Sequence, residues 1–82
     1  MKVLRTREFA DWLNALRDKR GKVKILERLD RMEEGNPGKT RSVGSRVMEL
    51  KIDFGPGYRL YFVRRGAMLA ILLCGGDKSF QD

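Results

Sequence analysis

The side chains best suited to chemistry in this sequence alternate along two neighbouring segments that have the pattern of β-strands. Apolar and polar residues alternate over 47–54 and again over 58–63, which is the two-residue period of a half-buried strand. If the apolar faces of both strands meet the same core, their polar faces coincide as well. That shared polar face carries two cations, a carboxylate and a phenol, namely Lys51, Arg59, Glu49 and Tyr61.

This set suits phosphodiester chemistry without histidine, a residue that the chain does not contain. RNA is cleaved when its own 2′-hydroxyl attacks the adjacent phosphate, which requires a base, an acid and cations near the phosphate. Arg59 can clamp the phosphate through its two-pronged guanidinium, and Lys51 can serve as acid or base. The alternatives are that Lys51 is a solvated lysine, that Arg59 packs on aromatic rings, and that Tyr61 packs at an edge instead of stacking on a base.

The charge balance favours a polyanionic partner. The 82 residues include 18 lysines and arginines against 11 aspartates and glutamates, a net charge of +7, and the sequence pI is near 10.1. Nucleic acid, an anionic membrane surface or an acidic protein attracts such a chain, although a basic protein without such a partner has the same composition. No cofactor is indicated, and a single cysteine without histidine provides no usual metal cluster. That cysteine, Cys74, lies in an apolar run, which predicts a buried and unreactive thiol.

Two features of the sequence bear on its location. The N-terminal residues turn polar at once, so no signal peptide is visible. The longest apolar run, Ala67–Cys74, is far shorter than the roughly 20 residues that a membrane-spanning helix needs. Together they predict a soluble, cytoplasmic protein without membrane contact.

Two helices are predicted in the N-terminal half. Thr6 can cap the first, and apolar residues then recur at helical spacing, at Phe9, Trp12, Leu13 and Leu16. Gly21 is predicted to interrupt the helical pattern. A second helix is expected from about Lys22 to Glu34, where the Gly-Asn-Pro-Gly segment 35–38 ends it. Because the break is short, the two helices should form an antiparallel hairpin.

The C-terminal half has the pattern of a β-meander. Strands over 47–54, 58–63 and 67–74 are separated by glycine-containing turns, with a weaker strand at 40–43 and a short edge strand at Val3 and Leu4. The apolar side of the helices must cover the apolar face of this sheet. The sequence therefore predicts a single α+β domain over residues 1–82, with an N-terminal helical hairpin on an antiparallel sheet. The 67–74 strand is apolar on both faces, which predicts an uncovered strip and self-association.

Five short motifs resemble one group of small bacterial toxins. They are FADWL at 9–13, GNPG at 35–38, ELKI at 49–52, GPGYRLYF at 55–62 and LLCGGDKS at 72–79. In this order they resemble the HigB-like addiction module killer proteins of the RelE/ParE toxin superfamily, from about Phe9 to Gln81. The resemblance implies the two-layer RelE/ParE-like fold and a protein antitoxin, commonly one with a helix-turn-helix domain. It also implies cleavage of messenger RNA on translating ribosomes without a metal or cofactor.

Site residues follow from the resemblance and from the residues themselves. The resemblance implies that Arg59 is the active-site arginine, that Lys51 is a basic strand residue of the site, and that Lys78 in the final loop is a third catalytic candidate. RNA contacts are considered at four further positions, Glu49, Tyr61, Arg64 and Arg65. A base is the other role open to Glu49, and ordinary turn polarity is the alternative for the two arginines. The C-terminal helix of the group is expected to be absent, because the sequence stops shortly after the last motif.

The sequence therefore predicts the toxin of a bacterial type II toxin–antitoxin pair. Its expected activity is that of an RNA-binding, metal-independent mRNA endoribonuclease that inhibits translation and is neutralised by its antitoxin. Because ParE-like members of the superfamily act on DNA gyrase, a non-enzymatic role stays open. In that alternative the protein is a gyrase inhibitor, or a shortened and inactive toxin that binds its antitoxin.

Overall fold

The computed structural model describes residues 1–77, which form two helices and a five-stranded sheet. In chain order the elements are β1 (Lys2–Arg5), α1 (Arg7–Ala15), α2 (Lys19–Glu33), β2 (Thr40–Ser42), β3 (Val47–Ile52), β4 (Tyr58–Arg65) and β5 (Leu69–Asp77). The predicted α+β class is confirmed. No helix in this part of the chain is long and apolar enough to cross a membrane.

Both helices begin at side-chain caps. Thr6 accepts a hydrogen bond from the backbone N–H of Phe9 at 3.1 Å, which starts α1 as predicted. Asp18 caps α2 in the same way by accepting from the N–H of Gly21 at 3.0 Å. The prediction that Gly21 interrupts the helical pattern is therefore wrong. The break lies upstream, where Leu16 and Asp18 have extended backbone, and Gly21 belongs to the first turn of α2.

The sheet has the strand order β1-β5-β4-β3-β2. Strands β2 to β5 form antiparallel pairs, but β1 pairs with β5 in parallel. The prediction of a wholly antiparallel sheet is therefore wrong. β1 pairs with the last strand, and the chain then crosses through both helices to β2 at the opposite edge of the sheet, where the antiparallel strands begin. The apolar strand β5 is therefore an inner strand of the sheet and lies between β1 and β4.

The core lies between the helices and one face of the sheet. Its buried side chains come from both layers: Phe9, Leu13, Ile25, Leu29, Met32, Leu50, Ile52, Tyr58, Leu60, Phe62, Ala70 and Leu72. The predicted shared apolar face of β3 and β4 is therefore confirmed. Trp12 packs against this core, and its indole lies so close to the backbone of Gly75 that a Cβ there would collide with the ring.

The opposite side of the sheet is here called the open face, and no helix within residues 1–77 covers it. On β3 and β4 it carries Val47, Glu49, Lys51, Arg59, Tyr61 and Val63. The predicted polar face thus exists as one surface. The expected absence of a C-terminal helix concerns residues after Asp77, which lie outside the described part of the chain.

Candidate functional site

A buried carboxylate on the open face accepts hydrogen bonds from three polar side chains. Glu49 in β3 is only 5% exposed. Its Oε1 accepts from Arg41 Nε at 2.8 Å, while its Oε2 accepts from the Tyr61 hydroxyl at 3.1 Å and from Arg59 Nη1 at 3.5 Å. The sheet register causes this convergence, since Arg41 and Tyr61 flank Glu49 directly on β2 and β4. Arg41, Glu49, Arg59 and Tyr61 are called the Glu49 cluster below.

The Glu49 cluster keeps its carboxylate ionised. Burial by itself raises the pKa of Glu49, but the hydrogen bonds from Arg41 and Tyr61 and the charges of Arg41 and Arg59 together hold that pKa below its usual value. A carboxylate with a lowered pKa and three donors around it is a weak proton acceptor. Its geometry suits it to hold the arginine and the phenol in place.

Arg59 and Lys51 lie side by side at one end of the open face. They are directly paired across β3 and β4, as the alternation predicts. Arg59 is largely enclosed, with 17% of its side chain exposed, whereas 55% of the Lys51 side chain is exposed. The Lys51 ammonium is 3.6 Å from the Asp53 carboxylate, an exposed pair that contributes little to stability. A phosphate placed here would meet one fixed and one adaptable cation.

Both cations lie in a wide groove of about 950 Å³. Its walls come from α2, from the start of β2 and from β3 and β4. Among the described residues the groove is lined by seven cations against three carboxylates, an excess of four positive charges. The cations are Lys24, Arg28, Arg31, Lys39, Arg41, Lys51 and Arg59. A smaller groove of about 260 Å³ beside the 55–57 turn shares Lys51, Asp53, Phe54 and Arg59 with the wide groove, so the two cations lie where the grooves meet.

The α2 side of the groove was not among the predicted site residues. Lys24, Arg28 and Arg31 follow the spacing i, i+4, i+7, which places them on one stripe of the helix. That periodicity is visible in the sequence and could have identified the stripe. The position of this stripe opposite β3 depends on tertiary packing and could not be predicted from the local sequence.

Arg28 joins the two walls of the groove. Its guanidinium donates to the backbone carbonyl of Lys51 at 3.2 Å and to that of Pro37 at 3.0 Å, while its Nε is buried without a hydrogen-bond partner among the described residues. Burial, and then the neighbouring charge of Arg31, lower the pKa of Arg28. Gly38 makes room for this arrangement, since its backbone has a φ of +83° and a Cβ there would lie 2.8 Å from Arg28 Nη2.

The predicted site residues therefore separate into three groups. Glu49, Lys51, Arg59 and Tyr61 come together on the open face. Arg64 and Arg65 are exposed at the far end of β4 and line neither groove. Lys78 lies outside the described residues. The roles in catalysis and RNA binding expected for these seven positions stay predictions.

Other reactive groups in the described part of the chain offer little. No cluster of three or more histidine, cysteine, aspartate or glutamate residues there could hold a metal ion. Cys74 is half-buried. Burial, with a smaller contribution from Glu8, raises the pKa of its thiol, which is the environment of an unreactive cysteine.

Comparisons with known proteins place the chain in a family. No solved structure matches it. An uncharacterized protein of Haemophilus influenzae (strain Rd) is 45% identical over 82 residues, an alignment that covers 100% of this chain and 83% of the relative. A family model described as "Phage derived protein Gp49-like (DUF891)" matches residues 11–82.

This family is not the HigB family of the RelE/ParE superfamily, so the predicted membership of that superfamily is wrong. The five motifs that suggested it are short, and two of them contain glycine turns, at 35–38 and 55–57, which many small α+β domains need at similar places. The RelE/ParE-like label for the fold has no support from a solved structure either. Because the matching family model covers nearly the whole chain, the protein belongs to the phage-derived Gp49-like family.

Proposed function

We propose that this protein is the toxin of a type II toxin–antitoxin pair and that it cleaves messenger RNA. The observation that carries the proposal is the Glu49 cluster, where a buried carboxylate fixes Arg59 beside Lys51 in a groove with an excess of positive charge. Membership of a family whose proteins are toxin-like supports the biological role. The net charge of +7 supports a nucleic-acid target.

The proposed reaction uses the RNA itself as the nucleophile. The 2′-oxygen forms a bond to the adjacent phosphorus, the bond from phosphorus to the 5′-oxygen breaks, and the products are a 2′,3′-cyclic phosphate and a 5′-hydroxyl. Arg59 stabilises the extra negative charge on the phosphate as the bonds exchange. The Lys51 ammonium donates a proton to the leaving 5′-oxygen, and the 2′-hydroxyl proton passes to the base, a role assigned to Lys78 as the third catalytic candidate.

The remaining residues of the site support this chemistry without transferring protons. Glu49 positions both Arg59 and Tyr61, because the guanidinium and the phenol donate to the same oxygen of its carboxylate, Oε2. Tyr61 also has an aromatic face on which a base can stack. Arg64 and Arg65, at the far end of β4, are proposed to contact phosphates outside the cleaved step.

Two partners belong to the proposal. A protein antitoxin, for which a helix-turn-helix protein is the expected type, would neutralise the toxin in the cytoplasm. The ribosome would present the messenger RNA, since a protein of 82 residues can enclose only a short stretch of it. Comparison of a translated RNA with the same RNA lacking its start codon tests this second partner.

The decisive experiment measures RNA ends. After brief induction of the wild-type protein, we expect primer extension to show discrete new 5′ ends, and a kinase should label them directly because they carry hydroxyls. Arg59→Ala should reduce cleavage about 100-fold or more, the cost of removing a positioned donor to a reacting oxyanion. Arg7→Ala, which removes an exposed arginine on α1, is the matched control and should cleave like wild type. Thermal unfolding of all three proteins checks that the site variant is folded.

A non-enzymatic role is the alternative, and one observation favours it. Within residues 1–77, the carboxylate nearest to Arg59 is already occupied by three donors, so no proton acceptor is ready there. The site would then bind a polyanion without cleaving it. If no new RNA ends form, incubation with gyrase and plasmid DNA separates a gyrase inhibitor, which traps cleaved supercoiled plasmid or blocks supercoiling of relaxed plasmid, from an inactive toxin that only binds its antitoxin.

A further inference from the structure

Lys24, Arg28 and Arg31, here called the α2 stripe, lie at the border of the core and not on the solvent-facing back of the helix. The buried residues Ile25, Leu29 and Met32 each follow a member of the stripe by one position, a rotation of about 100° around the helix. Lys24, Arg28 and Arg31 therefore face the sheet edge across the groove. A stripe of cations that served only solubility would be expected on the opposite side of the helix.

Little negative charge compensates this stripe. Lys24 pairs with Glu27 at 3.8 Å, and both side chains are more than half exposed. Among the described residues neither Arg28 nor Arg31 forms an ion pair with a carboxylate within 4.0 Å, and Arg28 donates hydrogen bonds only to backbone carbonyls. The charge of Asp53 acts on Arg28 only from a longer distance. Two neighbouring guanidinium groups, one of them partly desolvated, repel each other, and an anion between them would relieve that repulsion.

The sheet edge opposite the stripe is open as well. Pairing of β2 with β3 ends at Thr40 and Leu50, so β3 continues without a β2 partner from Lys51 onward. Arg28 reaches this gap and binds the Lys51 carbonyl. One continuous groove therefore connects the α2 stripe with the Lys51–Arg59 pair.

The dimensions of the groove favour a single strand over a duplex. A volume of about 950 Å³ lies at the upper end of the roughly 300–1,000 Å³ found for sites that enclose one small ligand, which corresponds to a few nucleotides. Recognition of double-stranded RNA typically spans about 16 base pairs, far more than this site covers. Phe54 is the aromatic residue among the described lining residues, and it provides a ring for stacking, 5.9 Å from the Lys24 ammonium.

We propose that this groove binds a single-stranded polynucleotide through two phosphate sites, one at Lys51 and Arg59 and a second on the α2 stripe of Lys24, Arg28 and Arg31. The identity of the strand as messenger RNA rests on the proposed function, but the binding site itself does not. The α2 stripe holds the polynucleotide on one side of the cleaved phosphate and so determines which phosphate lies at Lys51 and Arg59. Arg28 shapes the groove, while Lys24 and Arg31 supply the adaptable contacts.

A single-stranded DNA octamer is the probe, because it lacks the 2′-hydroxyl and cannot be cleaved by the proposed reaction. Fluorescence anisotropy of the labelled octamer gives its Kd over a range of salt concentrations. Each lost phosphate contact should reduce the slope of log K against log salt by about 0.7, which is roughly a fivefold loss of affinity at 0.1 M salt. We expect this for Lys24→Ala and for Arg31→Ala, whose side chains lie outside the core.

Arg7→Ala is the matched control, since it removes one positive charge from an exposed site on α1 that does not line the groove. Equal losses for Arg7→Ala and Arg31→Ala would overturn the proposal, because binding would then follow net charge alone. Equal affinity for a duplex octamer, or no binding of the single strand by wild type, would overturn it as well. If the octamer binds as expected while wild type generates no RNA ends, the proposed endonuclease is wrong and the groove assignment stands.

Discussion

The chemistry of the open face depends on how one carboxylate is placed. Glu49 lies on a strand between Arg41 and Tyr61, and this register lets it accept hydrogen bonds from both neighbours and from Arg59. A buried carboxylate without such donors would be protonated, and the arginines would then lose their orientation. Glu49 thus links the stability of the sheet to the geometry of the candidate site.

Replacement of Glu49 tests this link through the pH dependence of folding. Since the pKa of Glu49 is lowered in the folded protein, its ionisation stabilises the fold above the unfolded pKa of about 4.3, and this contribution disappears as the pH falls through the lower folded pKa. Glu49→Gln should reduce the free energy of unfolding by about 1–3 kcal/mol at pH 7 and should flatten its decline below about pH 4.5. Urea unfolding from pH 7 to pH 3 measures both. Parallel pH profiles for the two proteins would contradict the role given to this carboxylate.

A second pH dependence is expected from Tyr58, a buried residue whose hydroxyl donates to the Asp18 carboxylate at 2.6 Å. Burial, and then the bond to Asp18, raise the pKa of Tyr58 to about 12. A raised folded pKa stabilises the protein below the unfolded pKa of about 10, and the contribution is lost as the pH rises toward 12. Tyr58→Phe should cost about 1 kcal/mol at pH 8, and the gap to wild type should narrow between pH 10 and 12. A constant gap across that range would show that the phenol does not titrate as inferred.

At the scale of elements, the start of α2 shows what a sequence pattern cannot reveal. A glycine within a helical pattern is compatible with a break or with a close contact, and only the tertiary structure distinguishes the two. Gly21 lies beneath the Tyr58 ring, where a Cβ would be 2.6 Å from Cε2 of that ring and 2.6 Å from Asp18 Oδ2. The Tyr58 ring is far from Gly21 in the sequence, and its bond to Asp18 spans 40 positions, so no local pattern contains this contact.

This contact reverses the usual effect of replacing glycine in a helix. Alanine in place of glycine normally stabilises a helix by up to about 1 kcal/mol. Gly21→Ala should instead destabilise the protein by about 1–3 kcal/mol, because the added methyl group must displace the Tyr58 ring or the Asp18 cap. Lys19→Ala, in the same helical turn but exposed, is the control and should change the unfolding free energy by less than about 0.5 kcal/mol. Equal stability of Gly21→Ala and wild type would mean that the start of α2 accommodates the added methyl group without cost.

The sheet was predictable where its pairing is local. Alternation over β3 and β4 predicted which side chains share a face, and the short turn between the strands predicted the antiparallel pairing that joins Lys51 to Arg59. The parallel pairing of β1 with β5 was not predictable, because it unites the two ends of the described chain. The continuation of β5 to Asp77 was missed for a related reason, since residues 75–77 belong to the strand through their pairing with β4, and the Trp12 ring packs closely on Gly75.

For the whole molecule, the predicted α+β class rests on periodicity and is confirmed, whereas the predicted superfamily rested on short motifs and is wrong. Periodicity reflects burial over many residues and therefore reports on layers. Motifs of four to eight residues mostly record the needs of turns and strands, which unrelated families share. The candidate site lies between these cases, because its residues were predicted from strand alternation but the α2 stripe required the packed structure.

A row of apolar residues crosses the open face and gives the predicted self-association a definite surface. Leu4, Ile71, Val63 and Val47 are register partners across β1, β5, β4 and β3. Leu4 is 42% exposed and the other three are half-buried. The predicted strip lay on the 67–74 strand alone. In the structure that strand contributes only Ile71 to the row, and the other three residues come from neighbouring strands. Its burial between two copies is opposed by the net charge of +7 on each.

These opposing effects predict self-association that increases with salt. Screening shortens the reach of the charge repulsion from about 10 Å at 0.1 M salt to about 3 Å at 1 M, while the apolar attraction persists. We expect sedimentation velocity to show a monomer at low salt and a growing dimer fraction at high salt. Val63→Lys places a charge in the middle of the row and should keep the protein monomeric, whereas Val23→Lys, the same change at a 54% exposed position of α2, should not. A wild-type protein that stays monomeric at every salt concentration, or a dimer that survives Val63→Lys, would show that the apolar row is not the surface through which copies of this chain meet.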